Sequence, residues 1–144
     1  MADYKNILAA VDYTAESHQV LQRAKNVAEQ SSAEITLLHV IEITPVIGEF
    51  ETFSYVDLYT DQPEMIDRAE RDLKCLADDV EMTDAVFKVI PGVPKVEIAS
   101  YAEEYDIDLI VVGSHGRHGI SLILGSTANG VLHRAKCDVL AVRV

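Results

Sequence analysis

LIVVGSHGRHGISLILGSTANGVLHRA, residues 109–135, runs from four apolar residues into a stretch holding five of the chain's seven glycines. These are Gly113, Gly116, Gly119, Gly125 and Gly130. The unbroken run Leu109, Ile110, Val111, Val112 reads as a strand covered on both faces. From Ser126 onward, Ala128, Val131, Leu132 and Ala135 recur at helical spacing, with Ser126 as the expected N-cap. A doubly covered strand, a glycine-rich turn and a helix make up most of a βαβ unit, which points to the α/β class. Glycines gather at such a turn because the backbone bends tightly there, or because a ligand approaches it closely.

The same alternation extends on both sides. Further strands are expected at 6–11 (NILAAV), 34–41 (EITLLHVI), 85–90 and 138–144, with the run before Gly113 starting at 107. Thr14 is the expected cap of a first helix carrying Leu21, Ala24 and Ala28. Pro63 opens a second, with the stripe Ile66, Ala69, Leu73, Leu76 and Val80. Pro94 opens a third, with Ile98, Ala99, Ala102 and Tyr105 on one side. The order βαβαβαβαβ predicts one doubly wound domain over residues 1–144. Its sheet has five parallel strands in the order 3-2-1-4-5, with two helices on each face. The segment 42–62, with Pro45, Gly48 and several aromatics, is long for a connection. It reads as a lid, an interface element or a surface excursion.

Composition narrows the partners. The chain has 144 residues, is 49% hydrophobic and carries a formal net charge of −12. That charge argues against nucleic acid and anionic membrane surfaces, which require a basic face. No apolar run is long enough to span a bilayer. The opening MADYKNILAAVDY has charges at Asp3, Lys5 and Asp12, unlike a secretory leader. Cys75 and Cys137 are expected to be reduced thiols, and a cytoplasmic location is expected.

Open parallel sheets bind ligands beyond the carboxyl ends of their strands, where the strand order reverses. Here that place lies between the first strand, ending at Val11 and Asp12, and the fourth, running into Gly113. Gly113 and Gly116 would form a concavity of backbone amides suited to anions. Gly125, Ser126 and Thr127 stand at a helix start, where unpaired N–H groups and the helix dipole favour a phosphate. Asp12 is placed to accept a bond from a ribose hydroxyl, and the backbone of Val40 could meet an adenine edge. Plainer readings compete: Asp12 and Ser126 as N-caps, and His39 as a satisfied core histidine. His115 and His118 form an H-x-x-H pair without a third metal ligand, so no metal site is expected.

Several enzyme classes are excluded. No G-x-x-x-x-G-K-[ST] loop is present. A receiver domain needs an acidic residue where Ile90 and Pro91 stand, and DYTAES lacks the glycines of a flavin phosphate loop. No general base is aimed at a terminal phosphate, so any hydrolysis should be slow and no catalytic residue is assigned.

The chain resembles the universal stress proteins of the UspA family over its whole length. The residues that carry the resemblance are KNILAAVDYTAES, LLHV and DLIVVGSHGRHG…LGSTANGVLHRAKCDVLAVRV. It implies a five-stranded α/β fold, homodimers and a role in stress tolerance. One branch of that family binds ATP or related adenine nucleotides through a G-x2-G-x9-G-[ST] loop, and another branch has lost those glycines. Here Gly113-x-x-Gly116 and Gly125-Ser126 stand in place, with eight residues rather than nine between Gly116 and Gly125. Carried over, Asp12 and Val40 contact adenosine, and Gly113, Gly116, Gly125, Ser126 and Thr127 hold phosphates. Arg117 and His118 join them by charge and position. ATP, ADP or AMP is the implied ligand, with Mg2+ as an optional companion. The alternatives are a dimeric interaction protein without nucleotide, and a slow ATPase or autophosphorylating enzyme.

The last strand, 138–144, is strongly apolar through Val139, Leu140, Ala141, Val142 and Val144. In the expected order it lies at a sheet edge, which invites pairing with another chain. A homodimer through this strand is expected, and a proline at Val142 would remove one edge donor.

Overall fold

The computed structural model describes residues 3–13, 16–42, 63–114 and 124–143. Five strands are present: β1 (Asn6–Ala10), β2 (Glu34–Glu42), β3 (Val86–Gly92), β4 (Leu109–Gly113) and β5 (Asp138–Val142). They form one parallel sheet in the order β3-β2-β1-β4-β5, as expected from the alternating pattern. The helices are α1 (Ser17–Ser31), α2 (Pro63–Asp79), α3 (Pro94–Glu104) and α4 (Ser126–Arg134).

Alternation along the strands divides the core. Ile7, Ala9, Leu37, Leu109 and Val111 pack with Val20, Leu21 and Ala24 of α1 and with Leu73 and Leu76 of α2. Leu8, Leu38, Val40, Ile110 and Val112 pack with Ile98 and Tyr101 of α3 and with Ala128 and Val131 of α4. Each face thus carries two helices. Ile7, Leu8, Leu37, Leu38 and Ile110 are fully buried, and each contributes about 1.5–3 kcal/mol of transfer free energy. Among the described residues, no helix is long and apolar enough to cross a membrane.

The structure corrects several local expectations. In α3 the buried aromatic is Tyr101, while Tyr105 is 52% exposed. The chain leaves the helix at Tyr105, its C-cap, and Asp106 turns with φ of 53°, so helical phase is lost there. Leu132 is likewise exposed, outside the stripe of Ala128 and Val131. The N-cap of α1 is Glu16, which makes no side-chain cap bond; Thr14 lies outside the described residues. The N-cap of α4 is Gly125, and Ser126 is the first helical residue rather than the cap.

Two further corrections concern glycine and the sheet edge. Gly130 belongs to helix packing: a Cβ there would stand 2.6 Å from Lys95 Cδ and 2.7 Å from Lys95 Cβ in α3. In β5, Ser114 N–H donates to Val142 O at 2.8 Å. Parallel ladders engage alternate residues of a strand, so Val142 faces β4 and the outward set is Val139, Ala141 and Arg143. A proline at Val142 would break the sheet rather than its edge. Most of 42–62 lies outside the described residues; only Glu42 is described, as the end of β2.

Candidate functional site

The carboxyl ends of β1 and β4 lie side by side, paired as Ile7↔Leu109, Leu8↔Ile110 and Ala9↔Val111. On its other side β1 pairs with β2, so the order of connections reverses at β1. Beyond this rim stand Asp12 from β1, Val40 from β2, Gly113 from β4 and the first turn of α4.

Val40 shows how the rim is built. Glu34 N–H donates to Lys5 O at 2.9 Å, and Val11 N–H donates to Leu38 O at 3.0 Å. By the alternation of a parallel ladder, Glu34, Thr36, Leu38 and Val40 all turn their N–H and C=O toward β1. The next acceptor in that series, Val11 O, takes a bond from His39 Nδ1 at 2.8 Å. Among the described residues no backbone bond joins Val11 and Val40; the Val40 side chain is buried, and its backbone faces the end of β1. A strand edge offering one donor and one acceptor suits a flat heteroaromatic edge.

Asp12 is half-buried. Its Oδ1 accepts from the hydroxyl of Ser17, itself 1% exposed, at 3.5 Å. It stands upstream of the N-cap Glu16, so it does not occupy the cap position. His39 is the satisfied core histidine expected: it is buried, its Nδ1 carries a proton to Val11 O, and Tyr13 stacks on its ring at 4.0 Å. Tyr13 adopts φ of 61°, and its hydroxyl donates to Ala69 O in α2 at 2.5 Å. Burial, followed by the charges of Asp72 and Glu70, pushes the Tyr13 hydroxyl pKa well up.

On the β4 side, Ser114 is buried and its carbonyl accepts from Gly125 N–H at 2.6 Å. This bond brings Gly113 and the start of α4 together. It also engages the Gly125 amide, leaving donation at the helix end to the first-turn amides after it. Ser126 and Thr127 are exposed, and the positive end of the helix dipole lies there. Gly116, Arg117, His118 and the neighbouring His115 and Gly119 lie outside the described residues. Among the described residues, no group of three His, Cys, Asp or Glu side chains is placed to hold a metal.

Asp12, Val40, Gly113, Gly125, Ser126 and Thr127 thus come from four elements to one rim. Sequence reasoning missed Tyr13, Ser17 and Ser114, which hold that rim in shape. Helical or strand periodicity does not mark them, because Tyr13 and Ser114 lie in turns and Ser17 is a helix-start residue facing the loop.

Comparison with known proteins bears on this arrangement. A model of the universal stress protein family matches residues 3–143. Universal stress protein A homolog 1 of Coxiella burnetii is 42% identical over 141 residues, covering 96% of both chains. The structure of universal stress protein UspA from Lactobacillus plantarum superposes with a TM-score of 0.76 at 28% identity, over 99% of this chain and 100% of that one. A universal stress protein solved in complex with cAMP shares the fold, with a TM-score of 0.69 at 24% identity over 98% of each chain.

Proposed function

The chain belongs to the universal stress protein family, and from that premise we propose that it binds an adenine nucleotide at the carboxyl ends of β1 and β4. In this reading residues 1–144 act as one cytoplasmic regulatory module in stress tolerance, working as a homodimer. ATP is the favoured ligand, with ADP and AMP as the same chemistry carrying fewer phosphates. Asp12 accepts from the ribose, and Val40 meets the adenine through its backbone. Gly113, Gly116, Arg117, His118, Gly125, Ser126 and Thr127 surround the phosphates. Mg2+, if bound with a triphosphate, would offset its negative charge.

The observation that carries the reading is the end of the β1–β2 ladder at Val11 and Val40, next to Asp12 and the start of α4, whose N-cap Gly125 makes no side-chain cap bond. It leaves a directional backbone edge beside a carboxylate and a positive helix end. The engaged Gly125 amide modifies the assignment: Gly125 shapes the turn, while the amides of Ser126 and Thr127 meet the anion. The fold shared with a cAMP-bound protein supports adenine nucleotide as a ligand class this architecture can hold.

Dimerisation through β5 is supported by its edge position and by the outward set Val139, Ala141 and Arg143. A second reading, a dimeric interaction protein without nucleotide, is favoured by one observation: the Gly116–Gly125 spacing is one residue shorter than the binding pattern.

Mass spectrometry of small molecules released from freshly purified, denatured protein tests the reading, followed by calorimetric titration with adenosine, AMP, ADP and ATP. Adenine nucleotide should be recovered. Asp12→Ala should weaken all four ligands by a similar factor, and Gly116→Val should abolish the gain from phosphates. Absence of binding by all four would establish the second reading instead.

A further inference from the structure

We propose that Tyr13 and His39 are positioning residues for the Asp12 carboxylate, an inference that rests on the nucleotide reading of the rim. Asp12 lies between two anchored neighbours. On one side, Val11 is held by its amide on Leu38 O at 3.0 Å and by His39 Nδ1 on its carbonyl at 2.8 Å. On the other, Tyr13 stacks on the same His39 ring with an interplanar angle of 26° and donates to Ala69 O.

Three features make this more than ordinary packing. Tyr13 holds φ of 61°, a left-handed conformation that is costly for a bulky residue and persists only where surroundings enforce it. Its enforcement comes from two elements, β2 through the His39 ring and α2 through Ala69. The His39 side chain also bonds Val11 O, the carbonyl at the end of the β1–β2 ladder. The same imidazole thereby holds the turn that carries Asp12 from both of its sides. Ser17, almost fully buried, adds a further restraint on the carboxylate. Tyr13 and His39 act through Asp12 and Val40 on whatever occupies the rim.

Tyr13→Phe keeps the ring and removes the bond to α2. Loss of one such hydrogen bond corresponds to a roughly 2- to 10-fold change in an equilibrium. Titration of the full chain should show adenosine, AMP, ADP and ATP all weakened by about that factor, with the increments per phosphate unchanged. In an Asp12→Ala background, Tyr13→Phe should weaken adenosine no further, because coupled residues are not additive. His39→Gln, whose amide can still donate to Val11 O, should retain more adenosine affinity than His39→Leu at comparable thermal stability.

Full affinity in a folded Tyr13→Phe variant would overturn the proposal. So would a loss that adds in full to that of Asp12→Ala, or one that grows with phosphate number. If the wild-type chain binds none of the four ligands, the nucleotide reading itself fails and this inference with it. If the wild type binds and the variants match it, only this inference fails.

Discussion

Gly130→Ala should destabilise the protein, although alanine is intrinsically favoured over glycine inside a helix. The helical preference alone would add about 1 kcal/mol of stability. Against it stands the Lys95 stem, whose Cδ, Cβ and Cγ lie 2.6, 2.7 and 3.1 Å from the position of the new methyl. Unstrained carbon atoms sit roughly 3.5–4.0 Å apart. Lys95 Cδ can swing aside by a rotamer change, but Lys95 Cβ is fixed to the backbone of α3. The two helices must therefore separate by roughly 0.8 Å to restore an ordinary contact. Overpacking of this kind costs about 1–3 kcal/mol. The net loss should be about 1 kcal/mol, or a Tm lower by about 2–4 °C for a domain of this size. Urea and thermal unfolding of both proteins measure it. Nucleotide titration should show no change, since Gly130 packs helices rather than lining the rim. A Tm equal to or above wild type would refute the reasoning, because α3 would then have yielded at no cost.

Other outcomes follow from the charges, thiols and edges already described. Tyr13 keeps its proton in the folded protein above its ordinary pKa of 10.0. The unfolded chain releases that proton first, so the stability that Tyr13 contributes is full below pH 10 and is lost as pH rises beyond it. Thermal melts across that range should show a fall, and Tyr13→Phe should reduce it, leaving the part that comes from the raised pKa values of Tyr101 and Cys137. Burial, then the charges of Asp138 and Asp108, push the Cys137 thiol pKa up, while Cys75 is exposed. A thiol-directed alkylating reagent at neutral pH should therefore label Cys75 first, and peptide mapping that finds Cys137 first would contradict this. Histidines near a polyphosphate favour their charged form, so ATP affinity should rise as pH falls from about 8 to 6. A profile unchanged by replacing both His115 and His118 would remove them from the site. Ala141→Pro should yield a folded monomer in sedimentation, because Ala141 belongs to the outward set of β5; a folded dimer would place the interface elsewhere.

The fold was legible because its signals are long and redundant. The buried runs before Asp12 and Gly113 and the Leu73–Leu76 stripe each state a period, and together they dictate strand order and helix placement. The rim was legible in part. Asp12 and Val40 follow from where strands end in an open sheet, and Ser126 and Thr127 from where a helix starts. The errors fell where one local bond decides the outcome. Tyr105 fits the helical phase of α3, but the chain turns away at that residue. Ser126 is a favoured capping type, but the Ser114 carbonyl holds Gly125 in the cap position. Val142 looked like an edge donor because a strand's pointing direction depends on register, which composition does not carry. Tyr13 was invisible for the same reason: its role comes from His39 and Ala69, 26 and 56 residues away.

The short bond from Gly125 to Ser114 has a consequence for how this protein can vary. It fastens the two ends of the ten residues 115–124 to the scaffold, so their number is decoupled from the placement of α4. Closing a stretch between fixed ends scales with the logarithm of its length, and going from ten residues to eleven changes the closure free energy by only about 0.1 kcal/mol. A lineage can thus gain or drop a residue there without disturbing the sheet. If the nucleotide proposal holds, a relative's residues grafted between Ser114 and Gly125 should change ligand preference while the thermal unfolding of the frame stays the same.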